Sequence, residues 1–254
     1  MHLIDSHCHL TDKKFNADRD FIIKDLDNFL IKAIINPSEN IETSKKAVDL
    51  SKKYDNVYSC VGFHPENADE FKDSDIEILR ELLKEEKCVG IGEIGLDYYW
   101  RDDNKKKQRE VFIKQLELAK EVNKPVVIHS RDATGETFDI LKEYKDQIIC
   151  QMHCFSESKE MMQRYMKLGF YISLGGVVTF KNSKKAKEVA KAMPIDKLML
   201  ETDSPYMAPE PYRSLRNDPR KIIEVAKVIA DLREMKLEKL IKHTTKNTER
   251  FFNI

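Results

Sequence analysis

The chain has 254 residues, and its 44 Lys plus Arg are balanced by 44 Asp plus Glu, giving a formal net charge of zero at pH 7. With 41% hydrophobic residues it is too apolar and too neutral for a disordered chain, and it has no global field to draw in nucleic acid or an anionic membrane. A polyanionic partner must therefore be held by a local patch or by bound cations.

Short apolar runs rich in β-branched residues fall at 3–6, 33–36, 57–61, 88–92, 125–128, 148–152, 170–174 and 197–201, and each predicts a strand. Helical spacing fills the intervals, as in Ile76, Leu79 and Leu83, or Ile222, Ala226 and Ile229, and an amphipathic stretch at 236–252 closes the last unit. Alternation without hairpin turns predicts right-handed crossovers and a parallel sheet covered on both faces, which is why the strands read as apolar runs. Eight such units in a chain of about 250 residues predict an α/β fold, the (β/α)8 TIM barrel, as a single domain over 1–254. An open doubly wound sheet is the alternative, but no GxGxxG follows any predicted strand.

Cys8, Cys60, Cys88, Cys150 and Cys154 form no CxxC pair, which fits reduced thiols better than a disulfide framework or a zinc ribbon. The first ten residues carry acid and histidine where a secretory leader needs a basic end and an apolar stretch, and no apolar run reaches membrane-spanning length. The expectation is a soluble cytoplasmic protein with neither a membrane nor an obligate protein partner.

The histidines concentrate at one class of position. His7 and His9 follow the first predicted strand, His64 the third, His129 the fifth and His153 the sixth, with Glu93 after the fourth and Asp203 after the eighth. In a barrel of this type the carboxyl ends of the strands face the active site, so these groups are expected on one rim. His7 and His9, two apart on extended chain, project to the same face. An HxH pair alone is as readily an exposed pair or part of a tag, and a single strand-end histidine is as readily a hydrogen-bonded structural one. Together they predict a metal site.

A tetrahedral ion takes four ligands, so the six side chains predict two divalent ions. One is assigned to His7, His9, Glu93 and Asp203, the other to Glu93, His129 and His153, with Glu93 bridging. Imidazole and carboxylate without thiolate suit zinc, manganese, cobalt or nickel, and magnesium less well. Strand alternation turns Cys8 away from the ions, and Cys154 is expected to be a buried packing residue.

DSHCHL at 5–10, GFHP at 62–65, GEIGLDYY at 92–99, HSRDA at 129–133, HCF at 153–155 and ETDSPY at 201–206 together resemble the TatD family of metal-dependent deoxyribonucleases, within the amidohydrolase superfamily. The resemblance runs in order from residue 5 to the loop around Arg216. It implies a binuclear centre on His7, His9, Glu93, His129, His153 and Asp203, and hydrolysis of DNA phosphodiesters, trimming single strands from 3′ to 5′. One departure is local: an arginine, a glycine and an RNEP-like run are usual after the last strand, whereas this chain reads Arg213, Ser214, Leu215, Arg216, Asn217, Asp218 and Pro219.

Two ions about 3.5 to 4 Å apart can activate water and neutralise a phosphate, with Glu93 as bridge and Asp203 as proton acceptor. His64 and Arg131, beyond the ligand count, are assigned to the substrate phosphate. Tyr98 and Trp100, in a loop with Tyr99 and Arg101 and just before Lys105, Lys106 and Lys107, are assigned to stacking unpaired bases. The alternatives are an amidohydrolase, lactonase or phosphotriesterase on the same barrel, and a barrel that binds metal without catalysis.

Overall fold

A computed structural model describes residues 2–254. The strands are β1 (Leu3–Asp5), β2 (Ile31–Asn36), β3 (Val57–Val61), β4 (Cys88–Asp97), β5 (Val126–Arg131), β6 (Cys150–Met152), β7 (Tyr171–Leu174) and β8 (Leu198–Leu200). Between and after them lie α1 (Arg19–Asp25), α2 (Ile41–Lys53), α3 (Asp75–Leu82), α4 (Lys105–Val122), α5 (Thr134–Glu143), α6 (Lys159–Lys167), α7 (Lys184–Ala192), α8 (Ile222–Leu232) and α9 (Leu237–Phe252). The strands form one eight-stranded sheet in sequence order. A backbone bond from Ser6 N to Leu200 O and a bridge between Cys8 and Ser204 bring the last strand beside the first. This is the (β/α)8 barrel.

Contacts divide the chain into two compact units, one with β1, β2, β7 and β8 plus α1 and α6 to α9, the other with β3 to β6 plus α2 to α5. In the first, α8 buries Ile222, Val225, Ala226, Ile229 and Ala230 at three- and four-residue spacing, a stripe that faces the sheet side of the unit. In the second, α2 begins with a reciprocal cap: Asn40 Oδ1 accepts from Thr43 N and Thr43 Oγ1 accepts from Asn40 N, both at 3.0 Å.

Two buried glutamines on one face of α4 replace missing backbone partners at strand ends. Gln115 accepts from Phe63 N at 2.7 Å and donates to Phe63 O at 3.1 Å, fixing the residue before His64. Gln108 accepts from Asp97 N and donates to Asp97 O, both at 2.9 Å, fixing the end of β4. Helix α4 therefore sets the height of two site-bearing chain segments.

The observed β4 runs five residues past its predicted end. Gly92 and Gly95 look like strand breakers in the sequence, yet the strand continues, with a register shift against β5 between Ile91 and Ile94. Glycine is required at 95: its φ is +147°, and a Cβ there would stand 1.9 Å from the His129 carbonyl oxygen. Among the described residues no helix is long and apolar enough to cross a membrane. All five cysteines are free thiols; Cys154 is half-buried, not buried as expected, because it follows His153 at a left-handed φ of +44°.

Candidate metal centre

The first unit gathers four of the sequence-predicted groups. His7 and His9 are buried, with their Nε2 atoms 3.1 Å apart, and Asp203 Oδ1 lies 3.8 Å from the one and 3.5 Å from the other. His153 stacks on His7 with ring centroids 4.0 Å apart and planes within 10°. Donor atoms of His7, His153 and Asp203 all lie within 4.8 Å of one another, a spacing that one cation can span.

Backbone pairing at the β1–β8 seam produces this convergence. Asp203 N donates to His7 O at 2.9 Å and His9 N donates to Ser204 O at 2.8 Å, so the two ligand-bearing segments run side by side. Alternation sends Cys8 to the other face, fully buried, and burial pushes its thiol well up, which keeps it protonated and unsuited to a metal. Burial also opposes ionisation of Asp203, but the bond from His9 and the nearby His153 and His7 outweigh it and hold the carboxyl below its usual range. It is available as an anion.

Two more carboxylates lie behind this group, and the sequence reading missed both. Asp5 Oδ1 accepts from Thr202 N at 2.9 Å and from His7 N at 3.3 Å, and Oδ2 pairs with the Thr202 hydroxyl at 2.6 Å. Burial pushes Asp5 up to about 8 against those bonds. Glu201 accepts from Cys154 N and from the Ser173 hydroxyl, and burial pushes it up to about 7. Asp5 braces the backbone of His7, and Glu201 that of Cys154, next to His153.

The second unit holds the other group. Glu93 Oε1 is 2.7 Å from His129 Nδ1 and 3.5 Å from His64 Nε2, and His64, Glu93 and His129 offer donors within 4.8 Å of one another. His64 Nδ1 accepts from Glu66 N at 3.2 Å, which leaves Nε2 to carry the ring proton toward Glu93. His129 Nε2 lies 2.9 Å from Asp97 Oδ2, so one imidazole sits between two carboxylates of a single strand. Burial would lower His129, but bonds to Asp97 and Glu93 win and raise it to about 9.

Asp97 stands in the quoted GEIGLDYY run, but was given no role. Its distance of four residues from Glu93 on one strand is the signal, because that spacing returns to the same face. Within the first unit His153 lies with His7 and Asp203, and within the second His64 lies beside Glu93 and His129.

The other carboxylate oxygen of Asp97 accepts from Tyr99 N at 2.9 Å and Trp100 N at 2.8 Å, an Asx-type turn that displays both rings. Tyr99 and Trp100 are 53% and 59% exposed, and the Arg131 guanidinium carbon lies 4.0 Å from the Tyr99 ring centroid and 5.3 Å from that of Trp100. Tyr98, expected to stack on substrate, instead donates its hydroxyl to Glu136 at 2.7 Å and lies under Lys105. Tyr99 takes the displayed position.

Two buried sets of imidazole and carboxylate donors, with the neighbouring thiol turned away, fit divalent cations of the zinc, manganese, cobalt or nickel type. The family profile described as "TatD related DNase" matches residues 4–253. The chain is 42% identical to the uncharacterized metal-dependent hydrolase YabD of Bacillus subtilis over 99% of both chains. It is 39% identical to the uncharacterized metal-dependent hydrolase YcfH of Escherichia coli K12, covering all of this chain and 97% of that one. The crystal structure of YJJV, a TatD homologue from Escherichia coli K12, superposes with a TM-score of 0.94 at 29% identity, over 99% of this chain and 98% of that one. With both donor sets and this full-length likeness in hand, the chain belongs to the TatD family of metal-dependent hydrolases.

Proposed function

We propose that the chain, acting over 1–254 as one domain, is a deoxyribonuclease that hydrolyses phosphodiester bonds of single-stranded or frayed DNA, from 3′ to 5′. In this reading a binuclear centre would have His7, His9, Glu93 and Asp203 as the ligands of one divalent ion, and Glu93, His129 and His153 as those of the other. The free thiols favour a reducing compartment, the cytoplasm. The observation that carries the nucleic-acid reading is the Arg131 guanidinium stacked 4.0 Å from the exposed Tyr99 ring, beside exposed Trp100. Aromatic faces next to a guanidinium suit unpaired bases and the phosphate that links them. A lactone or small amide has no use for such a shelf.

Bound divalent ions supply Lewis-acid neutralisation of the phosphate and a lowered pKa for water. The protein's part is positioning and proton transfer. Asp203, kept ionised beside His7 and His9, accepts the proton of the attacking water. Glu93 would be a ligand common to both ions. His64, with its proton on Nε2, donates to a phosphate oxygen, and Arg131 pairs with another. Tyr99 and Trp100 hold the flanking base, and Tyr98 steadies their loop through Glu136.

The test is a time course on a 5′-labelled single-stranded oligodeoxynucleotide with manganese, magnesium or zinc, comparing wild type with Glu93→Ala. A ladder shortening from the 3′ end in the wild type and lost in the variant is expected. An undiminished ladder in the variant, or turnover only of a small phosphotriester or lactone in parallel assays, would overturn the proposal.

A further inference from the structure

Asn217 lies in the loop between β8 and α8, and its side chain is fully buried. Its carboxamide nitrogen donates to Thr202 O at 2.8 Å and to Tyr206 O at 2.7 Å, and its backbone N donates to Pro205 O at 3.2 Å. Its Oδ1 accepts from Asp218 N at 3.0 Å. Both donor directions of the carboxamide are used on residues 202–206, and its oxygen takes one bond from the next residue.

The segment it grips carries Asp203, whose φ is +54°, a conformation uncommon for any residue but glycine. A residue held there persists only when its surroundings over-determine it. They do so here. Asp203 O accepts from Tyr206 N at 2.9 Å and Ser204 O accepts from His9 N at 2.8 Å. With Thr202, Pro205 and Tyr206 bonded to Asn217, each carbonyl of the segment has a donor. Asp203 N completes the lacing by donating to His7 O.

We infer that Asn217 is a positioning residue for the metal centre: one carboxamide closes the turn that aims the Asp203 carboxylate at His7 and His9. The chemistry selects the residue type. Two carbonyls face the same nitrogen, so the group must present two donors from one short planar side chain, as Asn does. Serine presents one donor and alanine none. The loop itself is anchored elsewhere: Arg216 binds both oxygens of Asp18 at 2.9 and 2.6 Å, and Asp218 pairs with Arg220 at 2.9 Å and Lys221 at 2.7 Å. The Arg216 pair holds the loop against Asp18, the Asp218 pairs stiffen it locally, and Asn217 carries its position to Asp203.

The inference rests on Asp203 being a metal ligand and proton acceptor, so its test needs a readout apart from turnover. Asn217→Ala and Asn217→Ser are compared with wild type by titrating metal-free protein with cobalt(II), recording the visible spectrum of the loaded protein, and measuring kcat and KM on the oligodeoxynucleotide. Misplacing one ligand is expected to weaken cobalt binding on the order of 10- to 100-fold and alter the d–d envelope. It is expected to lower kcat by a similar factor, with KM within about 3-fold of wild type, because ligand aim and not substrate contact is lost. Serine should recover part of each loss. If Asn217→Ala does not fold, Asn217→Ser is judged by the same readouts. Cobalt affinity and spectrum like wild type in a folded variant would overturn the inference. A wild type that binds cobalt but cleaves no DNA would sink the nuclease reading alone and leave this one standing.

Discussion

Replacing Asp97 by Asn exchanges an oxygen for an amide nitrogen and should weaken His129 as a ligand of the proposed centre. Asp97 Oδ2 faces His129 Nε2 at 2.9 Å, which keeps a proton on that nitrogen and leaves Nδ1, 2.7 Å from Glu93, as the one that can donate a lone pair. Asn can retain Oδ1 as acceptor for the Tyr99 and Trp100 amides, so the turn survives. Its Nδ2, however, points a donor at His129 Nε2. A neutral ring must then carry its proton on Nδ1, where the ion would sit. Loss of such a carboxylate–histidine partner costs about 10- to 100-fold in metal affinity, or about 1.4 to 2.7 kcal/mol. In metal-free protein the variant also loses the attraction between Asp97 and the protonated His129 ring, so melting should shift down by about 1 to 3 kcal/mol. Calorimetric titration of the metal-free protein with zinc or manganese reads the first quantity and thermal melting the second. Two equivalents bound at wild-type affinity would show that His129 does not ligate through Nδ1.

The same imidazole makes metal uptake pH-dependent: with His129 raised to about 9 between Asp97 and Glu93, the ring is protonated at neutrality in metal-free protein and an entering ion must expel that proton. Apparent affinity should rise with pH and level off above about 9, with heats that differ between buffers of different ionisation enthalpy; flat affinity across that range would contradict it. Asp5, pushed up to about 8 by burial, is mostly protonated at neutrality, so Asp5→Asn should unfold within about 1 kcal/mol of wild type in denaturant, whereas Asp5→Ala should lose about 2 to 4 kcal/mol; equal losses would refute this. Asp218 is depressed because bonds from Arg220 and Lys221 outweigh its burial, so its contribution is fully present above an ordinary carboxylate pKa near 4 and is lost as pH falls below it. Asp218→Asn should therefore flatten the acid side of the stability profile, and an unchanged slope there would count against the ion pairs.

Residue spacing was enough to read the barrel and which strand carries each candidate ligand, because apolar runs mark strands and six of the eight runs are followed by a histidine or carboxylate of their own. It was not enough to foresee the stacking of His153 on His7. Which imidazole meets which depends on height and direction around a curved sheet, and His153 lies against His7 for reasons no local pattern encodes. Asp97 escaped because Gly92 and Gly95 read as an end to β4, whereas they are what lets the strand pass close to β5. Tyr98 and Tyr99 could not be told apart, since adjacent residues exchange faces with a shift of one position. Asn217 and the two α4 glutamines were invisible for a different reason: a buried amide that serves a distant backbone leaves no periodicity.

The Asp97 carboxyl group has a separate task for each of its two oxygens, one toward an imidazole and one toward the amides beneath an aromatic shelf. Inheritance cannot tune those tasks independently. A lineage drifting toward a different substrate would be free to exchange the rings themselves, yet any shortcut that reshapes their turn at its root would disturb His129 in the same step. Variation in taste is thereby steered outward, to the side chains at the tip.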